Sequence, residues 1–283
     1  MHHGQPSQTA RSAAAHRAIH QILEGGAIFK DPFASRILDE RTAVSLNEMA
    51  ADELLGPMRL FIAARSRFSE DALAACVARG VRQIVILGAG LDTFSLRNPF
   101  ADAGVRVFEV DYPATQAWKR ERLKEAGLAL PASLTFVPID FEQHSLAEGL
   151  AGAGFRSDCP AFFQWLGVVV YLSREAILVT LDVIASIPAS AVVFEYTEPF
   201  ENHSPEGCTR LMAAAERAAA RGEPWLSLFN PTELSAILRG RGFTDVEDLR
   251  VAEMVKRYPS ALATGLSISP GGHVVRAEKR RMM

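Results

Sequence analysis

The chain has 283 residues, 48% of them hydrophobic, and its 30 lysines and arginines against 33 aspartates and glutamates give a formal net charge of −3. No long run of one charge and no apolar segment of the ~18 residues that a membrane helix needs is present, so neither nucleic acid nor a membrane is an expected partner. Three scattered cysteines without a CxxC pair favour a reducing, cytoplasmic location and argue against a zinc site or a disulfide framework.

Residues 8–80 are predicted to be helical. Apolar residues recur at helical spacing until Gly25-Gly26, and a longer helix is predicted over 58–79. All of this precedes the first strand. The sequence therefore predicts an N-terminal helical lobe at residues 1–80, which acts either as a lid over a ligand site or only as structural support, and a second domain at residues 81–283.

A short apolar run at residues 84–87 breaks into Gly88-Ala89-Gly90. Consecutive branched aliphatic residues are typical of a strand buried on both faces in a parallel sheet. The two glycines permit a sharp turn and a close approach of a ligand to the backbone. Asp92 and Thr93 suit the cap of a helix that follows, so this stretch predicts the nucleotide-binding corner of an open α/β sheet.

Strands and helices then alternate, which predicts an α/β fold with a doubly wound, mostly parallel sheet. Two final strands, separated by a predicted loop at 256–272 instead of a crossover helix, should pair antiparallel and bring the sheet to seven strands. The predicted strands after the first are 105–111, 134–140, 159–166, 191–196, 243–251 and 273–277, and the predicted helices are 113–126, 174–187, 206–222 and one that opens near residue 230.

Ligands of such a sheet bind beyond the carboxyl ends of its strands, where two acidic residues are expected. Asp111 follows the glycine turn by about 20 positions, the spacing of a carboxylate that accepts hydrogen bonds from both ribose hydroxyls; otherwise it would cap the helix that starts near Pro113. Asp140 ends the third strand and either contacts an adenine beside a stacked Phe141 or caps a helix.

Three functions fit these features. A nicotinamide-dependent oxidoreductase prefers the pattern G-x-G-x-x-G/A, and here the last position is Thr93. The polar Asp92-Thr93 and the antiparallel close favour a methyltransferase that uses S-adenosylmethionine. A non-catalytic protein that only senses S-adenosylmethionine remains a third alternative, because in-line methyl transfer needs no diagnostic catalytic residue.

Three motifs closely resemble the leucine carboxyl methyltransferase family, in particular its bacterial branch that includes polyketide carboxyl O-methyltransferases. They are LGAGLDT at residues 87–93, FEVDYP at 108–113 and KRERL at 119–123. Residues 9–20, 31–33, 64–68 and 165–172 are similar to that branch as well, so the resemblance covers about residues 9–200. It implies a class I methyltransferase, Rossmann-like, with S-adenosylmethionine as cofactor.

The resemblance also implies a set of donor-binding residues. Arg65 is similar in position to the family arginine that holds the methionine carboxylate. In one departure from the family, Leu166 occupies the place of a glutamate five residues before the tyrosine of the fourth motif, which leaves Gln164 or the backbone for that contact and makes a protein-tail substrate less expected. The remaining residues predicted to bind the donor are Gly88, Gly90, Asp111, Asp140, Phe141 and Lys30.

The chemistry predicts few catalytic groups. The methyl group is already activated on a sulfonium, so the protein must align a nucleophile and exclude water. A carboxylic acid with a pKa of about 4 needs no base, whereas a phenol with a pKa of about 10 benefits from one. We expect methyl transfer to the carboxylate, or a phenol, of a small secondary metabolite, in a chain that could form homo-oligomers. Candidate catalytic residues are Glu198, His203 and Tyr171, with Glu195 and His20 as further candidate bases.

Overall fold

A computed structural model describes residues 7–258 and 272–279. Its centre is a seven-stranded sheet with the strand order β3-β2-β1-β4-β5-β7-β6. The strands are β1 Gln83–Leu87, β2 Arg106–Asp111, β3 Leu134–Pro138, β4 Ala161–Trp165, β5 Ala191–Thr197, β6 Asp245–Arg250 and β7 Gly272–Glu278. The first five strands pair in parallel, and β7 runs antiparallel to both β5 and β6. The predicted α/β fold, with its mostly parallel sheet and antiparallel close, is confirmed.

Helices precede the sheet and cover both of its faces. They are α1 Gln8–Leu23, α2 Glu40–Ala51, α3 Gly56–Ala78, α4 Pro113–Glu125, α5 Leu146–Gly152, α6 Arg174–Ser186, α7 Pro205–Ala220, α8 Pro231–Gly240 and α9 Val251–Lys256. The Ser7 side chain accepts a hydrogen bond from the backbone of Ala10 at the start of α1, and Ser173 caps α6 in the same way. Most of the loop predicted at 256–272 lies outside the described residues.

The helix predicted after Asp92-Thr93 is not an α-helix. Only a 3-10 turn, Phe94–Arg97, follows β1, and Thr93 makes no side-chain cap. Two causes are visible. The hydroxyl of Thr93 donates instead to Asp31 (2.7 Å), and Pro99 pushes the residue before it out of the α region.

The N-terminal region is not helical throughout, in contrast to the prediction. Residues 24–39 contain turns and irregular backbone between α1 and α2. Gly25 and Gly26 adopt positive φ angles of 58° and 68°, a conformation that ends the first helix at these glycines. The Asp39 side chain then caps α2 by accepting from the backbone of Thr42 (2.8 Å).

Three apolar clusters hold the layers together. One face of the sheet packs against α5, α6 and α8, and the other face packs against α3 and α9. Successive residues of β1 alternate between these clusters, with Val85 in the first and Ile84 in the second. A third cluster joins α1 to Leu91 and to Leu123 of α4. The N-terminal helices therefore share hydrophobic cores with the sheet, and the domain boundary near residue 80 stays a prediction. Within the described part of the chain, no helix is both long and apolar enough to cross a membrane.

Candidate active site

A cavity of about 400 Å³ lies beyond the carboxyl ends of β1, β2, β3 and β4. This is the edge at which open α/β sheets bind their ligands, and the volume is within the range of small-molecule sites. The first turns of α1, two residues of α3 and the segment 222–226 complete the wall. Six of the residues predicted to bind the donor line this cavity: Arg65, Gly88, Gly90, Asp111, Asp140 and Phe141.

The glycine turn is packed between two other segments of the chain. Gly88 and Gly90 have positive φ angles of 64° and 47°. A Cβ atom at Gly88 would lie 2.3 Å from Cγ2 of Val168, and one at Gly90 would lie 3.0 Å from Cβ of Ala10. The glycines are thus required by the left-handed backbone and by neighbouring protein atoms, in addition to any ligand that approaches the turn.

Asp111 joins the glycine turn to the end of β2. Its carboxylate accepts hydrogen bonds from the backbone N–H of Gly90 and from that of Tyr112 (2.6 Å). Burial raises the pKa of Asp111 to about 6, although both hydrogen bonds oppose this shift. No side chain caps α4, so the alternative role of Asp111 as a helix cap is not observed.

Asp140 and Phe141 lie side by side on the wall. The Asp140 carboxylate accepts hydrogen bonds from the backbone of Glu142 (3.0 Å) and from Nε2 of Gln143 (2.9 Å), which fixes the turn after β3. Ser145, rather than Asp140, caps α5. The ring of Phe141 is half-buried and packs against the core, so it presents a flat apolar surface to the cavity.

Arg65 reaches the wall from the middle of α3 and is 9% exposed. Its Nη1 donates to Oε1 of Glu195 on β5, and its guanidinium lies over the ring of Phe61, 5.3 Å from the centroid. Among the described residues, its Nε has no hydrogen-bond partner. A buried cation is therefore only partly satisfied by the protein at the cavity wall.

Gln164 and Leu166 occupy the end of β4 and the residues just after it. The Gln164 side-chain amide donates to Oδ2 of Asp92 (3.0 Å) and accepts from the hydroxyl of Ser69 (3.0 Å). Both Gln164 and Leu166 line the cavity, and Leu166 packs against the core. The apolar side chain at position 166 contributes no charge to this part of the wall.

Arg17, which also lines the cavity, is not among the residues predicted from the sequence. Its Nε donates to Oδ2 of Asp31 (2.8 Å) and its Nη2 donates to the carbonyl of Leu91 (2.7 Å). Both charged side chains are buried, and Thr93 donates to the second oxygen of Asp31. This network ties α1 to the glycine turn. The sequence signals for it are the stretches at residues 9–20, 31–33 and 87–93 in the family resemblance.

Two charged residues of the family motifs serve the fold. Glu109 and Lys119 are both buried and form an ion pair of 2.6 Å. Ser95 donates to the other carboxylate oxygen of Glu109 (2.8 Å), and Lys119 also donates to the backbone carbonyl of Asp92 (2.6 Å). The pair thereby fixes the backbone at Asp92, next to the glycine turn, although neither Glu109 nor Lys119 lines the cavity.

The roof of the cavity is formed by segments far apart in the sequence. The Thr9 hydroxyl and backbone N–H both donate to Oε2 of Glu223. Leu226 donates from its backbone to the carbonyl of Val170 (2.8 Å), next to Tyr171 on the wall. Burial raises the pKa of Tyr171. Thr9 and Glu223 are not among the predicted residues, because no local pattern marks a contact between them.

Lys30 and four candidate bases are not among the residues that line the cavity. Lys30 is exposed, and His203 is half-buried in the loop before α7. His20 lies within hydrogen-bond distance of Glu24 (2.9 Å). Glu198 is buried 2.7 Å from Nε2 of His273. Glu195 contacts the wall through Arg65 and through the backbone N–H of Gly167. Of the candidate catalytic residues, Tyr171 alone is brought to the wall.

The sheet order, the antiparallel close and the ligand-sized cavity at the glycine turn define a class of enzyme. This protein is a class I methyltransferase that uses S-adenosylmethionine.

Comparisons with known proteins place the chain within that class. The family model described as leucine carboxyl methyltransferase matches residues 10–185, and the chain belongs to this family. A Bacillus subtilis protein named as an S-adenosyl-L-methionine-dependent methyltransferase, YktD, is 30% identical over 99% of this chain and 100% of its own length. A similarly named Mycobacterium avium protein is 32% identical over 96% of this chain and 94% of its own.

Solved structures support the fold. A DUF574 family protein from Streptomyces avermitilis superposes with a TM-score of 0.58 at 17% identity, over 98% of this chain and 99% of its own. The magnesium protoporphyrin IX methyltransferase of Synechocystis, solved with bound SAH, gives a TM-score of 0.50 at 14% identity, over 81% of this chain and 89% of its own. At these identities the likeness concerns the fold alone.

Proposed function

We propose that this methyltransferase transfers the methyl group of S-adenosylmethionine to an oxygen atom of a small molecule, the carboxylate or phenol of a secondary metabolite, in the cytoplasm. The observation that carries the proposal is the composition of one cavity wall. It contains the glycine turn and Asp111 at the end of β2, and on the roof it contains Thr9 and Glu223. The first two features suit the donor, and the roof leaves a place for an acceptor. The volume of about 400 Å³ is within the range of small-molecule sites.

The residues on the wall fit the donor. We assign the donor's carboxylate to Arg65, whose guanidinium lines the cavity and is held at Nη1 by Glu195, and its ribose hydroxyls to Asp111. The glycine turn lines the same cavity, and we assign it to the amino-acid part of the donor. Asp140 and Phe141 take the adenine, by hydrogen bonding and by stacking.

The chemistry of the donor is an activated methyl group on a positively charged sulfur. The protein holds the acceptor oxygen in line with that methyl group and excludes water. Thr9 and Glu223, which join α1 to the segment after α7, close the roof and perform the second task. A carboxylate acceptor needs no base. For a phenol, the titratable side chains at the roof are Glu223 and Tyr171, and the proposal gives no proton-transfer role to Glu198 or His203.

The test is methyl transfer from S-adenosylmethionine labelled in the methyl group to matched acceptors, such as 2-naphthoic acid and 2-naphthol. A labelled methyl ester, which alkali hydrolyses, identifies a carboxylate acceptor, and an alkali-stable methyl ether identifies a phenol. We expect label in one of these product classes, across an extended panel of small acids and phenols. Donor binding without transfer to any member would instead favour the non-catalytic sensor.

A further inference from the structure

The ion pair between Arg65 and Glu195 differs from the pair that another arginine of α3, Arg59, makes with Glu24. Arg59 uses both Nε (3.0 Å) and Nη2 (2.8 Å) on Oε1 of Glu24, away from the cavity wall. Arg65 uses only Nη1 on Glu195 and keeps Nε without a partner among the described residues. Arg59 thus binds its carboxylate through two nitrogens, whereas Arg65 binds Glu195 through Nη1 alone.

Phe61 and Gly167 lie close to the guanidinium of Arg65. The Phe61 ring lies against its guanidinium. A Cβ atom at Gly167 would lie 3.3 Å from Nη2, a tight contact that glycine avoids. Gly167 has a positive φ of 76°, which itself favours glycine. Glu195 supplies the directional contact that the ring and the glycine lack.

We propose that Glu195 is a positioning residue for the donor: by holding one corner of Arg65 from β5, it aims the free N–H groups of that arginine at the donor's carboxylate. This inference rests on the proposed function and deepens it. Leu166, which follows β4 on the cavity wall, has no charge. The carboxylate that contacts Arg65 comes instead from β5, the strand that pairs with β4. Glu195 does not line the cavity and acts through Arg65.

The proposal separates two ends of the ligand. S-Adenosylhomocysteine carries the amino-acid end that Arg65 would hold, whereas 5′-methylthioadenosine has the same adenine and ribose without it. If Glu195 positions Arg65 for the donor's carboxylate, loss of Glu195 weakens the binding of S-adenosylhomocysteine only. A general loss of fold or of cavity shape affects both.

The experiment is calorimetric titration of both ligands into the wild-type protein and into Glu195→Gln. We expect Glu195→Gln to weaken S-adenosylhomocysteine at least about tenfold and to change 5′-methylthioadenosine less than about twofold. Glu195→Asp, which keeps the charge on a shorter side chain, should recover part of the affinity. The matched control is Glu24→Gln, which removes the carboxylate partner of Arg59 on the same helix, away from the cavity wall, and should leave both affinities unchanged.

A double-variant measurement tests whether Glu195 acts through Arg65. Arg65→Lys should weaken S-adenosylhomocysteine, and adding Glu195→Gln to it should cost little more, because both changes remove one contact. Equal weakening of the two ligands by Glu195→Gln, or unchanged binding of S-adenosylhomocysteine, would overturn the positioning role. If Glu195→Gln does not fold, Glu195→Asp decides by the same comparison. Wild-type protein that binds neither ligand would refute the proposed function itself.

Discussion

Donor affinity is expected to depend on pH through Asp111. Burial raises the pKa of this carboxyl to about 6, and only its ionised form accepts hydrogen bonds from both ribose hydroxyls while it holds the backbone of Gly90. About ten in eleven molecules carry the ionised form at pH 7 and about one in eleven at pH 5, so the affinity should fall roughly tenfold between these values.

Replacement by asparagine should remove this pH dependence. Asp111→Asn keeps one oxygen but places an amide near a backbone N–H donor and removes the charge. Hydrogen bonds to charged groups contribute about 1.5–3 kcal/mol, so the affinity at pH 7 should fall by roughly 10- to 150-fold.

Calorimetric titration with S-adenosylhomocysteine between pH 5 and 7 measures both effects. An α-carboxyl, with a pKa of about 3.5, stays ionised in this range. Asp140→Asn is the control: it changes another carboxylate of the wall and should leave the slope intact. A wild-type affinity that does not change with pH, or an Asp111→Asn variant that keeps the wild-type slope, would refute the assignment of Asp111 to the ribose.

Two further predictions concern the glycine turn and the far end of the sheet. Gly88→Ala should weaken the binding of S-adenosylhomocysteine at least about tenfold, because an alanine in the left-handed conformation costs about 1–2 kcal/mol and its Cβ meets Val168. Adding Val168→Ala should restore part of the affinity. If it restores none, the predicted contact with Val168 is wrong. Burial alone would lower the pKa of His273, but its hydrogen bonds to Asp248 and Glu198 raise it, so their stabilisation is present below about pH 6.5 and is lost as the pH rises through the folded-state pKa. Urea unfolding should therefore show that His273→Gln costs about 1–3 kcal/mol at pH 6 and less at pH 9, whereas an equal cost at both would contradict the charged pair.

Much of the fold could be predicted because its signals are local. Apolar runs of strand length, glycines at a turn and acids at strand ends are patterns within a few residues of each other. They predicted a mostly parallel sheet with an antiparallel close, and the structure has both. Gly88 and Asp111 were predicted in this way, and both lie on the cavity wall. A residue at the carboxyl end of a parallel strand lies at the ligand-binding edge of the sheet, so predicting the strand also predicts the position of that residue.

The rest of the site depends on contacts that no local pattern encodes. Thr9 and Glu223 are 214 positions apart, yet they close the same roof. Thr93 was predicted to cap a helix, but its hydroxyl donates a buried hydrogen bond to Asp31 instead. This bond joins residues 62 positions apart. Lys30 is adjacent to Asp31 in the sequence but is exposed, because neighbouring side chains of an irregular segment point in different directions.

The cavity's ligand is tested most directly by calorimetric titration of the purified protein with S-adenosylmethionine, S-adenosylhomocysteine and NADH side by side. We expect micromolar binding of the two adenosyl ligands, weaker binding of both to Gly88→Ala, and no heat of binding from NADH. Binding of NADH, with none for the two adenosyl ligands, would contradict the assignment of this cavity to the methyl donor.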